Sequence, residues 1–125
     1  MSYTTQMDAA RQGIITPEMK AVAASEHIAE DELRELIALG QVIIPANKNH
    51  KCLKPNGIGS RLRTKINVNL GTSRDWTDLD MEMEKVKSAV DMGAEAIMDL
   101  SSCGDTQKFR RKLTSECPAK IGTVP

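Results

Sequence analysis

The chain has 125 residues, 40% of them hydrophobic and 27% charged, and its seventeen basic residues balance seventeen acidic ones. That balance leaves no net field to draw it to nucleic acid or an anionic membrane, and its apolar runs are far too short to span a bilayer. The N-terminus around Thr4, Thr5, Gln6 and Asp8 lacks the basic and apolar regions of a signal peptide, so the expected compartment is the cytoplasm.

This length allows one domain with a sizeable core. Tyr3, Trp76 and Phe109 are the only aromatic residues, so seven methionines and many short aliphatic side chains must supply the packing. Cys52, Cys103 and Cys117 are odd in number, widely spaced and without a Cys-x-x-Cys pair. That pattern argues against a structural disulfide and against a self-contained zinc or iron–sulfur site.

In chain order, Met7, Ala10 and Arg11 lie on a short amphipathic segment that Gly13 ends. Thr16-Pro17-Glu18 is a helix start: Thr16 as N-cap, Pro17 at the first helical position, Glu18 beside the positive end of the helix dipole. Met19, Val22 and Ala23 supply its buried face. A second helix is expected over residues 31–39, where Leu33, Leu36 and Ile37 form a stripe and Gly40 is the stop. Val42, Ile43 and Ile44 favour a strand that Pro45 ends or confines to an edge. A long polar connection follows, from Asn47 through His50 and Cys52 to Pro55-Asn56-Gly57. Two parts are expected, an α-rich region over residues 1–60 with one strand, and a repeating β/α part over residues 61–125.

The second part is organised by Lys65-Ile66-Asn67-Val68-Asn69-Leu70-Gly71-Thr72-Ser73, which echoes at residues 94–102. In the first run Ile66, Val68 and Leu70 alternate with Asn67 and Asn69, the period of a strand with two different faces. In the second, Ala94, Ala96, Ile97, Met98 and Leu100 nearly fill the run, as in a strand buried on both faces. Between them a helix capped by Thr77 or Asp78 runs to Met92, with Leu79, Met83, Val86 and Val90 on one face and Glu82, Glu84, Lys85 and Lys87 largely on the other. Asp105 caps a further helix with Phe109 and Leu113 on its buried side, Pro118 marks its end, and residues 119–125 begin a third strand. Strand, helix, strand in this order is a βαβ unit with parallel strands. Two and a half such units cannot close a barrel or cover both faces of a parallel sheet, so the chain reads as the front part of a longer protein.

In parallel α/β sheets, ligands sit at the carboxyl ends of strands, which here carry Asn69, Gly71, Ser73, Met98, Asp99 and Ser101. The amides of Asn67 and Asn69 suit a phosphate, a sugar or a heterocycle edge, and equally suit backbone groups at a strand end. Asp99 suits an acid, a base or a metal ligand, and equally an N-cap or an ion-pair partner for a lysine such as Lys65. By residue type alone Met98 belongs to the core. Gly57-Ile58-Gly59-Ser60 is a weak phosphate motif, with no preceding strand of Rossmann type and no third glycine. His50 is a lone histidine in a polar loop, and Cys103 follows a strand end without an evident activator.

A resemblance goes further than these patterns. Thr5-Gln6-Met7-Asp8-Ala9-Ala10-Arg11-Gln12-Gly13-Ile14-Ile15-Thr16-Pro17-Glu18-Met19, Ile44-Pro45-Ala46-Asn47-Lys48-Asn49-His50, Lys65-Ile66-Asn67-Val68-Asn69-Leu70-Gly71, Met98-Asp99-Leu100-Ser101 and Gly122-Thr123-Val124-Pro125 resemble, in order, the N-terminal part of the ThiC family, the phosphomethylpyrimidine synthases of thiamin biosynthesis. The resemblance implies a radical S-adenosylmethionine lyase, a homodimer, that rearranges aminoimidazole ribotide to the hydroxymethylpyrimidine phosphate of thiamin. It implies an α/β fold in which a helical N-terminal region precedes the first βα units of a (β/α)₈ barrel, here truncated, with residues 65–70 the first barrel strand and 95–100 the second. Asn69 and Met98 match family positions that contact the ribotide, and the resemblance assigns no catalytic residue. The full-length family carries a [4Fe–4S] cluster on a C-terminal Cys-x-x-Cys-x-x-x-x-Cys loop, S-adenosylmethionine and a divalent metal, zinc. None of these is expected to bind residues of this chain, and the 125 residues alone are expected to be catalytically inert. A sister family, the hydroxybenzimidazole synthases of anaerobic cobamide biosynthesis, shares the motifs and the substrate. A different class of reading is a non-catalytic binding or assembly module, in which residues 1–60 mediate dimerisation.

Overall fold

A computed structural model describes residues 2–124, in two compact units: Met1–Ala46 with Pro55–Thr64, and Asn47–Lys54 with Lys65–Pro125. The fold is mixed α/β, with five helices and two small sheets among the described residues.

The first unit holds helices α1 (Gln6–Arg11), α2 (Pro17–Glu26) and α3 (Glu30–Ala38) and the antiparallel strands β1 (Val42–Ile43) and β2 (Ile58–Gly59). Side-chain oxygens start the first two helices. Thr5 Oγ1 accepts from the Asp8 N–H at 3.0 Å and Thr16 Oγ1 from the Met19 N–H at 3.2 Å, which satisfies amides that have no partner inside the helix. Met19, Val22 and Ala23 are buried on α2 and Leu33, Leu36 and Ile37 on α3, in one cluster with Ala9, Ala10 and Val42. The two glycines of the weak phosphate motif serve packing. Gly59 pairs with Val42 at φ 142°, where a Cβ would lie 2.1 Å from the Gln41 carbonyl oxygen, so β2 approaches β1 as closely as it does only without a side chain.

The second unit is the repeating part. Strands β3 (Asn67–Leu70), β4 (Ala96–Asp99) and β5 (Lys120–Thr123) form one parallel sheet in that order, with α4 (Leu79–Asp91) between β3 and β4 and α5 (Thr106–Glu116) between β4 and β5. Pro125, at the end of the expected third strand, lies outside the described residues. The sheet is open, and no barrel is closed among the described residues. Asp78 caps α4 through the Asp80 and Met81 amides, and Asp105 caps α5 through the Lys108 amide. Leu70 and Ile97 pack with Val86 and Ala89 of α4 and Phe109 and Leu113 of α5, and Val68 and Ile121 support them, so both helices lie on one face of the sheet.

The opposite face corrects an expectation. Strand β4 is not buried on both sides: Ile97 and Asp99 are buried, whereas Ala96 and Met98 are only half-buried. Of the six residues on that face, Asn67, Asn69, Ala96, Met98, Lys120 and Gly122, none is buried. An apolar run specifies a strand, but burial on its second face needs a covering layer, and the two helices cover one face only.

Candidate functional site

The strand register brings two candidate residues side by side. Asn69 of β3 pairs with Met98 of β4, which pairs with Gly122 of β5, so the three form a row across the open face. Asn67 is two residues before Asn69 on the same face, and its Nδ2 donates to Asn69 Oδ1 at 2.8 Å. That bond orients the Asn69 amide and leaves its own Nδ2 group as the donor at the row. A Cβ on Gly122 would stand 3.0 Å from both Sδ and Cε of Met98, so the missing side chain makes the space in which the thioether lies. Met98 is thus half-buried over a glycine and does not enter the core.

Beyond this row, the carboxyl ends of β3 and β4 are stitched together. The Leu100 N–H donates to Leu70 O at 2.8 Å and the Ser102 N–H to Thr72 O at 3.0 Å. Thr72 donates from its backbone N–H to Ser101 Oγ at 3.1 Å, and from Oγ1 to Cys103 O. Gly71 sits at φ 149°, and a Cβ there would meet Ser101 N at 2.5 Å and the Leu100 carbonyl carbon at 2.6 Å, so only glycine lets the two loops approach this closely.

Two buried carboxylates hold these ends from the helix side. Glu82, expected on the solvated face of its helix, is fully buried, and its Oε2 accepts the Gly71 N–H at 2.8 Å while Oε1 takes Lys85 Nζ at 2.6 Å. It lies in step with Leu79, Val86 and Ala89, so helical periodicity already placed it on the inner stripe. Its charge, read as a mark of exposure, concealed this. Asp99 is also fully buried. Its Oδ1 accepts the Ser101 N–H at 2.9 Å, and Oδ2 accepts Arg110 Nε of α5 at 2.8 Å, so its ion-pair partner is Arg110 and not Lys65. Burial alone would raise its pKa, but the hydrogen bonds from Ser101 and Arg110 outweigh burial and hold the carboxyl below its ordinary value. With both oxygens engaged on the helix side, Asp99 shapes the strand end and does not face the Asn69–Met98 row.

The remaining candidates lie elsewhere. His50 is buried, and its Nε2 donates to Cys117 O at 2.6 Å. Cys52 Sγ donates to the same oxygen at 3.2 Å and approaches Thr114 O at 3.6 Å, so His50 and Cys52 together cap the carbonyl end of α5. Cys117 is buried, which pushes its thiol pKa up. Cys103 lies at the β4 end through its carbonyl. No group of three histidine, cysteine or acidic side chains among the described residues is arranged to hold a metal ion. A groove of about 520 Å³ runs past Met83, Val86 and Val90 of α4 to Cys117 and Pro118, on the helix side of the sheet and away from Asn69 and Met98. No helix among the described residues is long and apolar enough to cross a membrane.

Comparison with known proteins places this geometry in a lineage. Residues 5–125 match the Radical SAM ThiC family. All 125 residues align with phosphomethylpyrimidine synthases: 63% identical to that of Clostridioides difficile (strain 630), 64% to that of Alkaliphilus oremlandii (strain OhILAs) and 58% to that of Clostridium kluyveri (strain NBRC 12016). The chain spans 29% of the length of each of these relatives.

Proposed function

The chain belongs to the Radical SAM ThiC family, and on that premise we propose that it is the N-terminal portion of a phosphomethylpyrimidine synthase, a radical S-adenosylmethionine lyase that converts aminoimidazole ribotide to the pyrimidine phosphate of thiamin. The observation that carries this reading is identity of 58–64% along the whole chain to relatives that are all phosphomethylpyrimidine synthases. The same names favour the thiamin pyrimidine over hydroxybenzimidazole as the product. In the parent protein β3, β4 and β5 are the first three strands of a (β/α)₈ barrel, with the open face turned inward, and the parent is a cytoplasmic homodimer.

Within this chain, Asn69 and Met98 contact the ribotide. Asn69, with its Oδ1 engaged by Asn67, donates from Nδ2 to an oxygen or ring nitrogen of the substrate, while Met98 offers a soft apolar surface to the flat imidazole ring. Gly71, Glu82 and Asp99 hold the strand ends that carry the pair. The [4Fe–4S] cluster, S-adenosylmethionine and the divalent metal are held by the rest of the parent; here Cys52 lies beside Cys117, with no third histidine, cysteine or acidic side chain completing a metal-holding group among the described residues.

The test is ribotide binding to the full-length parent. Asn69→Ala and Met98→Ala are each expected to raise Kd about tenfold, equivalent to about 1.4 kcal/mol of lost contact, with unchanged circular dichroism. Wild-type affinity in both variants would remove these residues from the substrate site.

A further inference from the structure

Two of the three free cysteines meet at the C-terminal end of α5. Cys52 and Cys117 are 65 positions apart in the sequence, yet Cys52 Sγ stands 3.2 Å from the Cys117 carbonyl oxygen. The chain on either side of Cys52 fixes that approach. Two residues before it, His50 Nε2 donates to the same oxygen at 2.6 Å, and two residues after it the Lys54 N–H donates to Pro118 O at 2.9 Å. Residues 50–54 are thereby held along residues 117–118, with Cys52 at the centre of the contact. The thiols also sense each other: burial raises the Cys117 pKa, the Ala119 amide opposes the rise, and the Cys52 thiol adds to it. They differ in access, since Cys52 is half-buried and Cys117 only 3% exposed, so a small oxidant reaches Cys52 first. The contact tolerates loss of the Cys52 S–H as a donor. His50 still donates to the Cys117 carbonyl, and no buried acceptor is orphaned.

We propose that Cys52 and Cys117 are a peroxide-responsive thiol pair that closes to a reversible disulfide and so ties residues 47–54 to the end of α5. The inference is independent of the reaction proposed for the parent. Hydrogen peroxide is the two-electron oxidant. Cys52, as its thiolate, attacks one peroxide oxygen, the O–O bond breaks, and the released proton joins the departing hydroxide as water, which leaves a sulfenic acid on Cys52. The Cys117 sulfur then attacks the Cys52 sulfur, the S–O bond breaks, and the hydroxide leaves with the Cys117 proton as a second water. Each sulfur gives up one electron overall and the peroxide takes two. An external dithiol reverses the bond by exchange. The odd number and wide spacing of the cysteines argue against a permanent bridge, and the free thiols of the structure are the reduced form of a reversible one.

Peptide mapping tests the pair, because trypsin places each cysteine on its own peptide: Cys52 on residues 52–61, Cys103 on 88–108 and Cys117 on 113–120. The native full-length parent is treated with hydrogen peroxide, blocked with N-ethylmaleimide and digested without reductant. The expected product is peptide 52–61 linked to peptide 113–120, at least tenfold more abundant than any pairing of either with another cysteine, and lost on adding dithiothreitol. Mixing unlabelled with ¹⁵N-labelled protein before oxidation should give no linked pair of mixed mass, as an intrachain bond requires. Cys52→Ser should abolish the linked pair and leave Cys117 reduced, while Cys117→Ala should leave a Cys52 sulfenic acid that dimedone traps. If Cys117→Ala fails to fold, Cys52→Ser, at the half-exposed position, still decides the order of attack. The proposal is overturned if Cys52 proceeds to the sulfinic acid in the wild type without linking, if Cys103 or a cysteine from elsewhere in the parent is the commoner partner, or if the linked pair forms only between chains.

Discussion

The Asp99–Arg110 pair sets up an asymmetry that can be measured. Asp99 is fully buried, while the Arg110 side chain is 32% exposed, so the two partners lose different things when the other is removed. Replacing Arg110 by Met leaves a buried carboxylate held only by Ser101, through its backbone N–H and its side chain. Removing one member of a buried pair costs about 3–5 kcal/mol, and the partial exposure of Arg110 lets water reach the gap, so about 3 kcal/mol is expected. Replacing Asp99 by Asn keeps an acceptor for Ser101 and frees a guanidinium that can turn to solvent, so about 1 kcal/mol is expected. The pH dependence follows from the direction of the Asp99 shift. Its folded pKa is depressed, so its contribution is complete above the unfolded value of about 3.9 and is lost as pH falls through the folded value. In Arg110→Met the Arg110 hydrogen bond and charge no longer oppose burial, the pKa rises, and the penalty shrinks as pH falls through the raised value. Urea unfolding followed by far-ultraviolet circular dichroism at pH 7 and pH 4.5 reads all of this, with equal m-values required for the comparison. A loss below about 1 kcal/mol in Arg110→Met, a greater loss in Asp99→Asn, or a pH-independent difference would refute the reasoning.

Three further outcomes are expected. Gly71→Ala forces a Cβ into the Leu100–Ser101 backbone at a φ that side chains avoid, and should cost about 3 kcal/mol or more by urea unfolding. Gly122→Ala meets only the flexible end of Met98, so stability should drop by less than about 1 kcal/mol while ribotide affinity of the full-length parent falls, as measured by calorimetric titration. Thr16→Ala removes the α2 cap and a 2.6 Å bond from Thr16 Oγ1 to Gln6 Oε1, and thermal denaturation should show a loss of about 1–2 kcal/mol, with Thr16→Ser recovering most of it.

Local chemistry made much of this fold legible. Thr16-Pro17-Glu18 fixed the start of α2 to the residue, Asp78 and Asp105 cap their helices as their side chains suggest, and the two echoing runs became neighbouring parallel strands. Their echo also explains why Asn69 and Met98, far apart in the chain, stand in register. Features that depend on distant partners were not readable. Strand β2 exists because Gly59 can press against Val42, a pairing that no local pattern announces. The partner of Asp99 is one turn into α5, and a lysine beside the strand looked equally suitable until the helix was in place. Glu82 shows a different limit: its position obeyed the inner stripe, but only the structure reveals the Gly71 amide and Lys85 ammonium that make its burial tolerable.

The most direct test of the central claim is anaerobic iron–sulfur reconstitution of the full-length parent and of the 125-residue chain side by side, followed by assay of methionine and 5′-deoxyadenosine formed with aminoimidazole ribotide. The account predicts both products from the longer protein and neither from the 125-residue chain. Cofactor cleavage by the short chain alone would contradict it, since Cys52, Cys103 and Cys117, which form no metal-holding group among the described residues, would then have to ligate iron.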